Sequence, residues 1–207
     1  MKTITSKKEL EKYYNKKTGK IELLNDDFIL NFAEFIKTDY SLYCEKDLII
    51  NCEFESGESI ESGGSIESEG SIESGGFIES EGSIKSGGSI KSGGSIKSGW
   101  SIESGWSIES EGFIKSGGSI KSEGSIESGW SIESEGFIKS GWSIESGGSI
   151  KSEEMIRADF SIKTKKEITI LNKDSRIFAG LYDKNEAIIE CKKLNATIGY
   201  GKWKKVK

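Results

Sequence analysis

The chain has 207 residues, enough for one domain with a sizeable core, and carries 34 acidic against 29 basic side chains for a net charge of −5. It has no histidine, which removes the usual general base near neutral pH and the commonest metal ligand; its three cysteines, Cys44, Cys52 and Cys191, are odd in number, lack Cys-x-x-Cys spacing and read as free buried thiols. No apolar run approaches the ~20 residues of a membrane span and the first residues lack the apolar core of a signal peptide, so a cytoplasmic protein without membrane attachment, metal, cofactor or small-molecule substrate is expected.

Residues 1–53 read as an N-terminal cap followed by the first strands. Ser6-Lys-Lys-Glu9 is a capping-box pattern leading into Leu10, Tyr13 and Tyr14, and Gly19 suits a helix end, so the sequence predicts a short helix from about Lys7 to Lys17 that shields one end of the fold. Ile21-Glu-Leu-Leu, Phe28-Ile-Leu and Asp47 to Phe54 read as strands, and Asn31 to Tyr40 as a second helical turn.

Residues 54–154 are a hexapeptide repeat. An isoleucine falls at every sixth position from Ile60 to Ile150, in the frame Ser/Phe-Ile-Glu/Lys-Ser-Gly/Glu-Gly/Trp/Glu. A unit with one large apolar residue cannot bury it alone, so successive units must stack with isoleucine upon isoleucine, which predicts an all-β parallel β-solenoid. Alternation puts isoleucine inward, Glu/Lys outward and the following serine inward or at a corner. The Gly-Gly pair is expected to turn the chain through positive φ. Two hexapeptides per coil are favoured over three. The three phenylalanines of the repeat share one phase modulo 12, three of its four tryptophans do likewise, and the three-sided alternative calls for a small inward residue where the tryptophans stand.

Residues 155–207 read as closing strands: Phe160–Ile162, Ile168–Leu171, Arg176–Ala179, Ala187–Cys191 and Ala196–Ile198, with a basic tail to Lys207. The three segments hold 9 Lys against 10 Asp/Glu, 7 Lys against 18 Glu, and 13 Lys/Arg against 6 Asp/Glu, so an acidic rod of net −11 ends in a basic region of net +7. Such asymmetry steers association with charged partners.

Recurrent Ser-x-Lys, as in Ser83-Ile84-Lys85, follows from strand alternation and gives no activated nucleophile. Stacked glutamates such as Glu67 and Glu79 share their row with lysines, with no aspartate-rich loop to suit a cation. The features that suit binding are aromatic and basic: Trp100, Trp106, Trp130 and Trp142 at the turns, Phe77, Phe113 and Phe137 on an outward position, and Lys202, Trp203, Lys204 and Lys205 near the end.

The Gly-Ser-Ile-Glu/Lys-Ser units that run into Arg176-Ile-Phe-Ala-Gly-Leu181 and finish near Ile198-Gly-Tyr-Gly201 resemble hexapeptide-repeat proteins of bacterial, prophage and phage genomes. That resemblance covers roughly residues 50 to 202. It implies a role in phage–host conflict, including inhibition of CRISPR effectors, and assigns no catalytic residue. The expected function is a non-enzymatic rod that binds and blocks a nucleic-acid-targeting defence effector, with or without its RNA, by occlusion or charge mimicry. The alternative is a structural or surface protein whose repeated ladder binds carbohydrate or another repetitive ligand.

Overall fold

The computed structural model describes residues 1–180 and 188–206; Leu181, Ala187 and Lys207, named above in the terminal motif, a closing strand and the basic tail, lie outside them. The isoleucines of the repeat are all fully buried, and each begins a three-residue strand whose middle residue, Glu or Lys, faces out. Neighbouring strands are parallel and eighteen residues apart: Ile66 lies against Ile84, Ile72 against Ile90 and Ile78 against Ile96. Three hexapeptides therefore complete a coil, and the expectation of two is corrected.

Three sheets of 11, 10 and 11 strands form the sides of the rod. At about 4.8 Å per coil its length is roughly 50 Å. The chain passes in turn through face 1 (Leu48–Ile50, Ile66–Ser68 and onward), face 2 (Phe54–Ser56, Ile72–Ser74 and onward) and face 3 (Ile60–Ser62, Ile78–Ser80 and onward).

The reason three-sided coils accommodate tryptophan is positional. The residue two before each isoleucine stands on a corner facing solvent, where Trp100, Trp106, Trp130 and Trp142 are 61–71% exposed. The indole therefore reaches solvent and not the core, although the main chain is close: a Cβ at Gly82 or Gly124, the same position in other units, would stand 2.9 Å from backbone atoms of the coil below.

The corner glycines also act differently from the expectation. Among the described residues the glycines with positive φ are Gly19, Gly180 and Gly201, none of them in the repeat. What the first corner position requires is closeness. A Cβ at Gly99 would stand 2.0 Å from the carbonyl oxygen of Glu81 in the coil below. Where that position holds Glu, the backbone yields slightly: N–H···O distances to the preceding coil are 3.1 Å at Glu81 and 3.2 Å at Glu123, against 2.9 Å at Gly99 and Gly105.

The serine after each Glu/Lys is buried, and its hydroxyl is fully used. Ser92 Oγ lies 2.7 Å from the Gly76 carbonyl in the coil below and accepts from the Gly94 N–H at 3.2 Å. That carbonyl already accepts from the Gly94 N–H of the next coil at 2.7 Å, so the serine hydroxyl adds a second donor to it, a bond worth about 0.5–1.5 kcal/mol net and repeated along the repeat, as at Ser98 and Ser104. Isoleucine thus fills the core while serine ties one corner to the next.

At the N-terminal end, helix α1 spans Lys7–Leu10 and is followed by a 3₁₀ turn, Glu11–Tyr13. Ser6 caps it by accepting from the Glu9 N–H, and Leu10 is fully buried in one core cluster with Ile4 and Ile21, with the Tyr13 ring edge-on to Phe28 at 5.5 Å. The helix is shorter than expected. Tyr14–Asn15 turn back as a strand antiparallel to Lys20–Ile21, and Gly19, at φ 71°, makes that hairpin turn rather than a helix end. Asn31 to Tyr40 likewise hold no helical turn; Ile36–Thr38 form the first strand of face 2, against Phe54–Ser56, because the open edge there offers pairing that an isolated turn does not. Past the repeats the coils continue to Thr197–Tyr200 on face 1, Lys202–Lys205 on face 2 and Lys193–Asn195 on face 3, the last two strands unforeseen.

Candidate binding surface

An eighteen-residue coil sorts the outward Glu/Lys positions into three columns with different charge. Face 3 runs Glu61, Glu79, Lys97, Lys115, Glu133, Lys151 and neutralises itself, with Lys20–Glu61 at 2.9 Å, Lys97–Glu79 at 3.6 Å and Lys115–Glu133 at 3.9 Å. Face 1 alternates through Glu67, Lys85 and Glu103, then stacks three cations, Lys121, Lys139 and Arg157, the last paired with Asp159 at 3.4 Å. Face 2 does the opposite. Its column is Glu55, Glu73, Lys91, Glu109, Glu127, Glu145, Lys163, so three carboxylates stand on consecutive coils. The rod is polarised around its axis as well as along it.

The carboxylate ladder is bracketed by lysines. Lys91 reaches Glu109 at 3.7 Å and Lys163 reaches Glu145 at 3.6 Å. No described cation pairs with Glu127 in the middle. Partial burial, with the like charges of Glu109 and Glu145 on either side, raises its pKa above the ordinary carboxylate range. Beside this column runs a shallow cleft of about 950 Å³, extending from Glu55 to Glu190 and Val206 and lined by the charged row, by the serines that follow it and by the corner glycines Gly75, Gly93, Gly129 and Gly147. The cleft exists because glycine leaves the corner flat beside a row of longer side chains; Glu111 and Lys165 interrupt that glycine column.

The aromatic residues expected to bind a partner are not brought together. Trp100 and Phe137 stand at the corner before face 1, Trp106 and Trp142 at the corner before face 2, Phe77, Phe113 and Trp130 at the corner before face 3. Shared phase modulo 12 has no meaning in coils of 18. Phe77 is 42% exposed, whereas Phe113 and Phe137 are half-buried, and Lys97 Nζ lies 5.5 Å from the Phe113 ring centre. Trp142 packs on Phe160 of the next coil, ring centres 5.4 Å apart. Some of these side chains cover neighbouring coils, while Trp100, Trp106 and Trp130 project singly.

Lys202, Trp203, Lys204 and Lys205 form one edge strand of the last coil, all exposed. Lys204 pairs with Glu190 at 3.1 Å.

The cysteines are free, and burial pushes the Cys44 thiol up to about 11. Among the described residues no group of His, Cys, Asp and Glu is arranged to hold a metal, and no helix is long and apolar enough to cross a membrane. Sequence reasoning missed the Glu109–Glu127–Glu145 ladder because those residues become neighbours only once the coil length is known. No protein-family model, curated protein or solved structure matches the chain.

Proposed function

We propose that the chain is a non-enzymatic binding rod whose face 2 docks a cationic, nucleic-acid-handling protein and occupies the surface that protein would offer to phosphate. The observation that carries this reading is the carboxylate ladder beside its cleft. Glu109, Glu127 and Glu145 place a negative charge on each of three coils, one per ~4.8 Å, against one per ~3.4 Å along a nucleic-acid strand, or roughly 70% of that linear density. Lys91 and Lys163 end the resemblance to phosphate after three rungs. Charge therefore orients the encounter and the breadth of the rigid rod supplies occlusion, since a stiff surface loses little conformational entropy on docking.

The repeat's resemblance to cargo of mobile elements makes a CRISPR effector the most concrete partner. The single tryptophans on three corners do not form the continuous platform that the carbohydrate reading requires. The test is inhibition of target cleavage by a panel of purified CRISPR effector complexes of different types. The reading expects at least one effector to be inhibited and bound by the wild-type chain, and inhibition to fall at least tenfold on Glu109→Gln/Glu127→Gln/Glu145→Gln. A panel with no bound and no inhibited member overturns it.

A further inference from the structure

The two ends of the rod are built differently. At the N-terminal end a short helix joins the core, with Leu10 fully buried in the cluster that holds Ile4 and Ile21. At the other end the last inward row is Leu194, Ile198 and Trp203, in register with Ile168, Ile177 and Ile189 beneath. Those three isoleucines are fully buried, while Leu194 and Ile198 are only half-buried and Trp203 is 46% exposed. Trp203 stands in register with the inward Ile189 beneath it and is still partly open to solvent. Beside it, Lys202–Lys205 is the outermost strand of face 2, and its far edge pairs with no described strand. Along that edge lie main-chain groups with no ladder partner among the described residues, beside the half-buried apolar row.

The charges around that row are of one sign. Lys192, Lys202 and Lys205 have no acidic partner among the described residues, whereas Lys193 and Lys204 are held by Glu167 and Glu190. Cations on an edge strand keep two such ends apart, which disfavours a second copy, and they attract an acidic segment.

We propose that this end is a docking site for an extended acidic segment of a partner protein, one that alternates Asp/Glu with apolar residues and adds as a strand along Lys202–Lys205, its apolar side chains lying on Trp203, Ile198 and Leu194. Main-chain bonds supply the attachment and the alternation supplies the selectivity, the general logic of strand addition at a sheet edge. A nucleic-acid strand offers phosphates to the lysines and no ladder to the edge, and the single indole gives it no ring pair to stack between.

The probe is a fluorescein-labelled seven-residue peptide of alternating Glu and Val, compared with an all-Glu peptide of equal length and a decameric single-stranded oligouridylate. Fluorescence anisotropy and amide hydrogen exchange are read on the same samples. The alternating peptide should bind at least tenfold tighter than either control and slow amide exchange at residues 202–205. Lys202→Glu/Lys205→Glu, at exposed positions that leave the circular dichroism unchanged, should weaken it at least tenfold, and Trp203→Ser several-fold. The proposal is overturned if the oligonucleotide binds at this end in preference to the peptide, if the all-Glu peptide binds equally well, if exchange at 202–205 is unaltered, or if sedimentation shows that the chain closes its own end by dimerising.

Discussion

Replacing Ile114 by alanine removes three carbons from the middle of the stack, where Ile96 lies below and Ile132 above, all three fully buried. At about 0.8 kcal/mol per buried carbon the transfer loss alone is roughly 2.4 kcal/mol. The gap cannot close by collapse: the coils on either side are held at fixed spacing by ladder bonds such as Ile96 N–H to the Phe113 carbonyl at 3.0 Å and Ile114 N–H to the Ser131 carbonyl at 2.9 Å. A cavity penalty therefore adds to the transfer loss, for a total of about 3–4 kcal/mol. In a chain of this size that corresponds to a fall in melting temperature on the order of 10 °C. The control is Ile198→Ala in the last layer, whose side chain is already half-buried and has one neighbouring coil, so it should lose less than half as much. Urea and thermal unfolding followed by far-ultraviolet circular dichroism measure both. Equal losses for the two variants, or a loss at Ile114 below about 1 kcal/mol, would refute the stacked, uncollapsible core.

Other expectations separate packing from surface. Glu127 has its pKa raised by partial burial and by Glu109 and Glu145, so the native state binds its proton more tightly than the unfolded chain and the associated stability is lost as pH rises through the shifted value. Glu127→Gln should accordingly stabilise the protein at pH 7 by up to ~0.5 kcal/mol after screening, with the gain vanishing below the ordinary carboxylate range; pH-dependent chemical unfolding gives the sign directly. The Cys44 thiol, fully buried and pushed up to about 11, should resist a thiol-specific disulfide reagent at pH 8 in the native state and react within minutes in urea; rapid native labelling would show that face 3 opens. Trp100→Gly should leave stability within ~0.5 kcal/mol because the indole is 71% exposed, whereas Trp142→Gly forfeits the stack on Phe160 and should cost about 1 kcal/mol; thermal melts of the pair test which aromatics belong to the rod.

The isoleucine period made the parallel solenoid and its core legible from sequence, since no other arrangement buries a lone isoleucine every sixth residue. Coil length was not legible from that period, which two-sided and three-sided coils share. The outward charges did not decide between them, because each coil length pairs opposite signs about equally often along the repeat as a whole. Twelve residues after Glu109, Glu127 and Glu145 come Lys121, Lys139 and Arg157, so a two-sided rod would pair each glutamate with a cation. Eighteen residues separates them into an acidic column and a basic one, and the candidate surface comes into being with that separation. Tryptophan misled because its size matters at an inward position, whereas on a corner the indole reaches solvent. At the N-terminus Gly19 carries the same signal for a helix end and for a hairpin, and pairing of Tyr14 with Ile21 decided between them. The edge strand Lys202–Lys205 has the residues of a solvated tail, and only the pairing of Trp203 with Ile189 reveals it as part of a coil.

Binding by face 2, as proposed, sets one face of the rod apart from the other two. It is tested most directly by two composition-matched variants: Glu109→Gln/Glu127→Gln/Glu145→Gln on face 2 and Glu61→Gln/Glu79→Gln/Glu133→Gln on face 3. Both remove three carboxylates from exposed columns of the same rod and change the net charge equally. Association with an effector identified in the inhibition panel is followed by surface plasmon resonance across ionic strengths. The face 2 variant should slow association at least tenfold and flatten its salt dependence, while the face 3 variant should bind like the wild type. Equal slowing by both variants, or none by either, would contradict the proposal and reduce the polarity of the rod to bulk charge.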